Sequence, residues 1–323
     1  MSEVFFRELD LPTPDVNLGI GSGTHGEQTA GAMIGLEREW TGDPPAVVVL
    51  YGDVNSTLAA SLVAAKLQLP SAHVEAGLRS FDRSMPEEIN RIVSDLLADL
   101  LFTTSPEAAE HLTAMGVPTD RIHFVGNPMI DTLMAQRARF DPEPERERLG
   151  LPATYGVVTL HRPSNVDDIE SARAVVGALT ALAARLPLVI PLHPRGAARL
   201  AEAGLHDGER LRIVEPLGYV AFLSLVAGAR LVLTDSGGIQ EETTMLDVPC
   251  LTMRPNTERP ITISHGTNRL VRPDEVAAAA DEILAGPARP TGERPPLWDG
   301  HAGERIADVV VGWLATRSAT RRV

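Results

Sequence analysis

The chain has 323 residues, enough for two domains of roughly 150 residues each. With 44% apolar and 22% charged residues it has a globular composition, which excludes wholesale disorder. A net charge of −14 argues against a nucleic-acid partner, since the basic residues cluster only in the short tail Arg317, Arg321, Arg322. One cysteine, Cys250, excludes internal disulfides and a cysteine zinc site, and its apolar run marks it as a buried structural thiol. No apolar run reaches the roughly 18 residues of a membrane span. The opening ten residues also lack the basic start and apolar stretch of a signal peptide. A cytoplasmic protein is the expectation.

In chain order, the pattern predicts a helix over Glu3–Leu9 and a short strand, Val16–Ile20, broken by Gly19. There follow a strand Ala46–Tyr51, helix Ser56–Leu67, strand Ala72–Glu75, helix Glu87–Leu97, strand Leu100–Thr104, helix Pro106–Met115 and strand Arg121–Val125. The charged stretch Asp141-Pro-Glu-Pro-Glu-Arg-Glu-Arg148 is the best linker candidate and divides the chain nearly in half. Beyond it lie strands Tyr155–His161, Leu188–His193, Leu211–Val214, Arg230–Thr234 and Pro249–Met253. Helices are expected over Ile169–Arg185 and Pro273–Leu284. A Pro/Gly-rich stretch, Gly286–Gly300, then precedes a last helix, His301–Ala315.

The strands are continuous Val/Ile/Leu runs, as expected of parallel strands covered on both faces. Alternation with helices argues for an α/β fold of doubly wound parallel sheets. The expected domains are residues 1–140, with helix 301–316 packing back on them, and residues 150–300. Ligands of such folds bind beyond the carboxyl ends of the strands, in the cleft between two facing sheets.

The most legible motif is Leu231-Val-Leu-Thr-Asp235-Ser236-Gly237-Gly238-Ile-Gln-Glu241-Glu242. A strand ends, two glycines let a ligand approach the backbone, and a helix starts with its N–H groups free for a phosphate. Glu242, one turn in, is placed to accept from sugar hydroxyls; the plain structural reading is a tight turn with Ser236 as N-cap. Gly21-Ser-Gly23-Thr-His-Gly26 satisfies G-x-G-x-x-G and, with Asp43, invites a weaker dinucleotide reading. Asp53, Glu75, His161-Arg162 and His193 each follow a strand candidate, where catalytic groups of α/β folds gather. Glu87 and Arg91, spaced i, i+4, also fit an ordinary helix pair. These spacings alone leave the chemistry open.

The sequence resembles the non-hydrolysing UDP-N-acetylglucosamine 2-epimerase family. The resemblance is carried by Tyr51-Gly-Asp-Val-Asn-Ser-Thr-Leu-Ala, His73-Val-Glu-Ala-Gly-Leu-Arg-Ser, Met85-Pro-Glu-Glu-Ile-Asn-Arg and Gly126-Asn-Pro-Met-Ile-Asp. It continues in Thr159-Leu-His-Arg, Asp235-Ser-Gly-Gly-Ile-Gln-Glu-Glu, Thr257-Glu-Arg-Pro and Gly266-Thr-Asn-Arg-Leu-Val. It implies a GT-B architecture, a homodimer, and interconversion of UDP-GlcNAc and UDP-ManNAc with neither NAD nor a metal. The implied reaction is anti elimination of UDP through a 2-acetamidoglucal and re-addition on the other face of C2. Removal of a proton from one face and its return to the other requires more than one acid–base group. By resemblance Asp53, Glu75 and Glu87 form that set, His161 meets the diphosphate, Ser236, Gly237 and Gly238 hold the phosphates, and Glu242 holds the ribose. Arg162, His193 and Gln28 are the candidates for an additional or regulatory sugar-nucleotide site.

One departure accompanies the resemblance. Relatives begin with a strand ending in Gly-Thr-Arg-Pro-Glu, and this sequence opens after it. The first domain is therefore expected to be less stable than the second, with weak activity, and Ala46–Tyr51, apolar on both faces, reads as an interior strand lacking one neighbour. A GT-B glycosyltransferase, an NAD oxidoreductase and a UDP-sugar-binding protein without catalysis are the competing readings. Deuterium incorporation at C2 marks an epimerase and separates it from a glycosyltransferase, and nicotinamide absorbance changes would mark an oxidoreductase.

Overall fold

The structure, a computed structural model, describes residues 6, 8–160, 168–192, 194–287, 289 and 293–320. It divides into two compact units, Pro14–Asp131 with Pro296–Val323, and Met1–Thr13 with Thr132–Pro295. Among the described residues no helix is long and apolar enough to cross a membrane.

The first of these units holds a four-stranded parallel sheet in the order β1 (Val48–Tyr51), β2 (Ser71–Val74), β3 (Leu100–Thr103), β4 (Ile122–Phe124). Its strands β2 and β3 are buried along their whole length, which is why their sequences lack polar alternation. On one face Ala72, Val74, Leu100, Phe102 and Val125 pack against Ile306, Val309, Val310 and Trp313. These four lie on the helix Ala302–Thr320. Asp131 accepts from the amides of Ala302 and Gly303 at 3.1 and 2.7 Å, which satisfies two orphan donors at that helix's start.

Strand β1 is an edge of this sheet, and Val16–Ile20 is not the strand that the sequence suggested. Leu18 and Ile20 instead lie against Gly35 and Gly31 of the helix His25–Gly42. The helix is fixed at its start by a capping box between Thr24 and Glu27. Since the described residues before Gly21 hold no strand, the glycine motif is a loop leading into a capped helix, and the dinucleotide reading loses the context it needs. Nor is β1 covered on both faces. Val48 and Leu50 are buried, but Val49 and Tyr51 are 41% and 57% exposed.

The second unit carries a six-stranded parallel sheet. Its strands are β5 (Gly156–Thr159), β6 (Leu188–Pro191), β7 (Leu211–Val214), β8 (Leu231–Thr234), β9 (Cys250–Thr252) and β10 (Asn268–Leu270). The order is β10-β9-β8-β5-β6-β7. One continuous core runs from Val158 and Leu179 through Leu188, Ile190 and Leu233 to Leu251 and Ala280. From β5 the chain runs one way through β6 and β7, then returns to β8 and runs the other way. The order therefore reverses between β5 and β8, the point at which open α/β sheets bind ligands. The charged stretch around Asp141 folds as the helix Glu143–Arg148 within this unit. Strand β10 was not anticipated, since its Asn-Arg-Leu is too polar and short to read as one.

Candidate active site

Two clusters of polar residues sit at the carboxyl ends of the two sheets. In the first unit, Asp53 follows β1, Glu75 follows β2, and Glu87 opens the helix Pro86–Leu97. Arg91, one turn further along this helix, organises the group. Its Nε and Nη2 donate to Asp53 Oδ2 at 2.9 and 2.5 Å, and its Nη1 donates to Glu88 at 3.2 Å. Arg91 is thus more than the i, i+4 companion of Glu87. Asn90 Nδ2 donates to the Asp53 carbonyl at 2.8 Å, so that residue is held by both its main chain and its side chain. The Asp53 side chain keeps 25% of its surface exposed, whereas Arg91 is at 3%. A carboxylate gripped from one side and open on the other is suited to proton transfer.

Glu75 takes φ +66°, the left-handed region that costs a side-chain-bearing residue roughly 1–2 kcal/mol. Its neighbours enforce this conformation. Ala76 donates to the Phe102 carbonyl at 3.0 Å, and Gly77 to Asp95 Oδ2 at 3.1 Å. Backbone strain held this firmly at a strand's end is a feature of functional sites. Glu88, beside Glu87, is buried, and it accepts from the Ser80 and Phe81 amides at 2.8 and 3.2 Å, fixing the loop between β2 and the helix. Gln28 accepts from Asn55 Nδ2 at 2.8 Å, next to the start of the helix that follows Asp53.

In the second unit, Asp235-Ser-Gly-Gly leaves β8 at the reversal point. There Thr159 and Thr234, the last residues of β5 and β8, share a hydroxyl–hydroxyl bond of 2.7 Å. Ser236 occupies the N-cap of the helix Gly237–Met245 but makes no side-chain cap hydrogen bond. A hydroxyl that does not cap leaves the first-turn N–H groups available to an anion. Gly237 is required sterically: a Cβ there would lie 2.5 Å from Arg259 Nη1 and 2.8 Å from Glu258 Oε1. Arg259 is 7% exposed and ion-paired to Glu241 at 2.9 Å and Glu258 at 2.5 Å. It brings a guanidinium to the start of the helix, held there by the two carboxylates.

Glu242 is buried, and burial pushes its carboxyl up to about 8; the Tyr219 hydrogen bond opposes the shift and Glu241 adds to it. The same burial raises Tyr219, assisted by Glu242. Gln240 forms a hub, accepting from Thr257 at 2.7 Å and Asn268 at 3.0 Å. Cys250 is fully buried, and burial raises its thiol to about 11, leaving it a packing residue. Among the described residues no group of three or more His, Cys, Asp or Glu is placed to hold a metal ion.

The structure therefore brings Asp53, Glu75 and Glu87 to neighbouring element ends in one unit, and Ser236, Gly237, Gly238 and Glu242 to one loop and helix in the other. His161, Arg162 and His193 lie outside the described residues. Sequence reasoning missed Glu88, Asp95, Tyr219 and Arg259. A signal existed for Asp95: with Glu87, Glu88 and Arg91 it makes a charged stripe along the helix 86–97, where Glu88, Arg91 and Asp95 are buried. The Arg259 contact carried none, because it spans 22 residues of chain.

A family profile described as UDP-N-acetylglucosamine 2-epimerase matches residues 1–311. The UDP-N-acetylglucosamine 2-epimerase of Methanocaldococcus jannaschii is 41% identical over 322 residues, covering 96% of this chain and 87% of its own. A UDP-2,3-diacetamido-2,3-dideoxy-D-glucuronate 2-epimerase of Pseudomonas aeruginosa is 39% identical over 287 residues, covering 88% and 78%. The crystal structure of the M. jannaschii enzyme in complex with UDP-GlcNAc and UDP superposes with a TM-score of 0.89, covering 96% of this chain and 88% of that one. That of the Neisseria meningitidis UDP-GlcNAc 2-epimerase bound to UDP-GlcNAc, 26% identical, gives 0.87, covering 94% and 87%. The fold is accordingly GT-B, and the chain belongs to the non-hydrolysing UDP-N-acetylglucosamine 2-epimerase family of enzymes.

Proposed function

We propose that the protein interconverts UDP-GlcNAc and UDP-ManNAc. The observation that carries this reading is the carboxylate set Asp53, Glu75 and Glu87, with Asp53 oriented by Arg91 and Glu75 held in a strained conformation. In the first half-reaction one carboxylate removes the C2 proton. The C1–O bond breaks on the opposite face, its electron pair leaves with UDP, and C1=C2 forms. In the second half-reaction UDP adds back at C1 and a different group delivers a proton to the other face of C2.

The N–H groups at Ser236, Gly237 and Gly238 hold the departing diphosphate, with His161 offsetting its charge. Glu242 accepts from the ribose. Gln28, Arg162 and His193 belong to a further sugar-nucleotide contact, and the working form is a cytoplasmic homodimer needing neither NAD nor metal. The Pseudomonas relative gives a second substrate reading, a UDP-2-acetamido sugar altered at C3 and C6.

The test is incubation with UDP-GlcNAc in deuterium oxide. Deuterium at C2 with UDP-ManNAc formed is the expected result. No exchange with UDP-GlcNAc, but exchange with the diacetamido glucuronate, would move the assignment to that sugar. No exchange with either would leave a nucleotide-sugar-binding protein or a transferase.

A further inference from the structure

His73 lies in β2, two residues before Glu75, with none of its surface exposed. Both ring nitrogens face acceptors: Nε2 is 2.8 Å from the Gly52 carbonyl, and Nδ1 is 2.7 Å from Asp95 Oδ1. A carbonyl oxygen only accepts, so Nε2 carries a proton. Asp95 Oδ2 accepts from Arg79 Nη2 at 2.6 Å and from the Gly77 amide at 3.1 Å, which leaves Oδ1 to face Nδ1. An oxygen of a carboxylate paired to a guanidinium accepts, so Nδ1 donates as well. The buried ring is an imidazolium. Burial opposes its charge, but the hydrogen bonds to Asp95 and Gly52, with the charges of Asp95 and Glu75, outweigh burial and raise its pKa.

The three anchors come from different elements. Gly52 sits in the turn after β1 with φ +66°, a conformation that a glycine alone adopts without penalty. Its carbonyl is fixed by His73, and the next residue is Asp53. Asp95 lies on the helix Pro86–Leu97 that begins with the Glu87 turn, and Arg79 follows Glu75 by four residues. We propose that His73 is a positioning residue for the epimerisation, a cationic clamp that ties the Gly52–Asp53 turn to Asp95 on the helix Pro86–Leu97. The proposal rests on the epimerase reading above. The charged groups facing the ring are Asp95 from the helix, Arg79 through Asp95, and Glu75 from its own strand.

Two isosteric variants separate the two anchors. His73→Asn keeps a donor near the Nδ1 position and His73→Gln keeps one near Nε2, and neither is charged. The expected result for both is a kcat for C2 exchange lowered roughly 10–100-fold, the range over which outer positioning groups act. UDP affinity by calorimetry stays within about twofold. Wild-type kcat in either variant, or a fall in UDP affinity that matches the fall in kcat, overturns the proposal. A measurement on the unaltered protein guards against variants that fail to fold. Nitrogen-15 spectra should show both His73 ring nitrogens still protonated above the ordinary histidine value of about 6.5. A ring that is neutral as soon as the pH passes that value overturns the clamp. If the unaltered protein shows no C2 exchange, the epimerase reading has failed, and the ring-nitrogen spectra still decide the protonation of His73.

Discussion

At the scale of single residues, the acid–base candidates differ in how separable their chemistry is from their packing. Among the described residues Glu87 has no side-chain hydrogen-bond partner, so Glu87→Gln should lower kcat for C2 exchange about 10²-fold or more with UDP affinity within a few-fold. Asp53→Asn should lose as much turnover and also some stability, because it withdraws the carboxylate from the buried Arg91. Glu75→Gln should match Glu87→Gln in turnover. Wild-type exchange in any two of the three would remove them from the mechanism.

Glu242 makes a separate prediction about pH. Its folded-state value near 8 stands above 4.5, so between about pH 5 and pH 8 the folded state keeps a proton that the unfolded state has released. Stability therefore falls as pH rises through that window. Glu242→Gln, which does not titrate and still accepts from Tyr219, should gain on the parent by about 1.4 kcal/mol per pH unit across it, levelling off above. Urea unfolding at several pH values measures this, and a difference constant with pH would refute the burial argument.

At the scale of elements, the phosphate-binding turn and the edge strand test different physics. Gly237→Val places a side chain into the space held by Arg259 and Glu258 at the start of the helix. UDP affinity should fall at least tenfold, with a stability loss of about 1–3 kcal/mol from overpacking. Unchanged calorimetric affinity would place the phosphates elsewhere. In β1, buried and exposed positions alternate. Leu50→Ala should cost about 2–5 kcal/mol, while Val49→Lys should stay within about 0.5 kcal/mol of the parent. Equal costs in thermal unfolding would mean that both faces of this strand are covered in solution.

At the scale of the whole molecule, each unit has its own sheet and its own apolar core. The second has a cluster that runs from Val158 to Ala280 across its sheet; the first has smaller ones around β1, β2–β3 and Leu112. Calorimetry should resolve two transitions, the lower from the first unit. UDP at about 100 times its Kd should stabilise the upper one by about 2.7 kcal/mol and leave the lower unmoved. A ligand-dependent lower transition would contradict the assignment of the nucleotide to the second unit.

Sequence by itself determined the α/β class and nine of the ten strands among the described residues, and it singled out Asp53, Glu75, Glu87, Ser236, Gly237, Gly238 and Glu242 as candidates. It could do so because buried parallel strands write themselves as apolar runs, and because phosphate turns need glycine next to a helix start. The periodicity of Val16–Ile20 was misleading, since alternating apolar residues serve equally to pack a loop on a helix as at Gly31 and Gly35. Only the tertiary structure decided the partners. Arg91 joins Asp53, Asp95 joins His73 and Arg79, and Arg259 reaches Gly237 because distant segments meet at strand ends. A charged residue in a sequence has no direction until packing removes its alternatives. Burial then makes each unpaired charge costly enough that one partner is fixed.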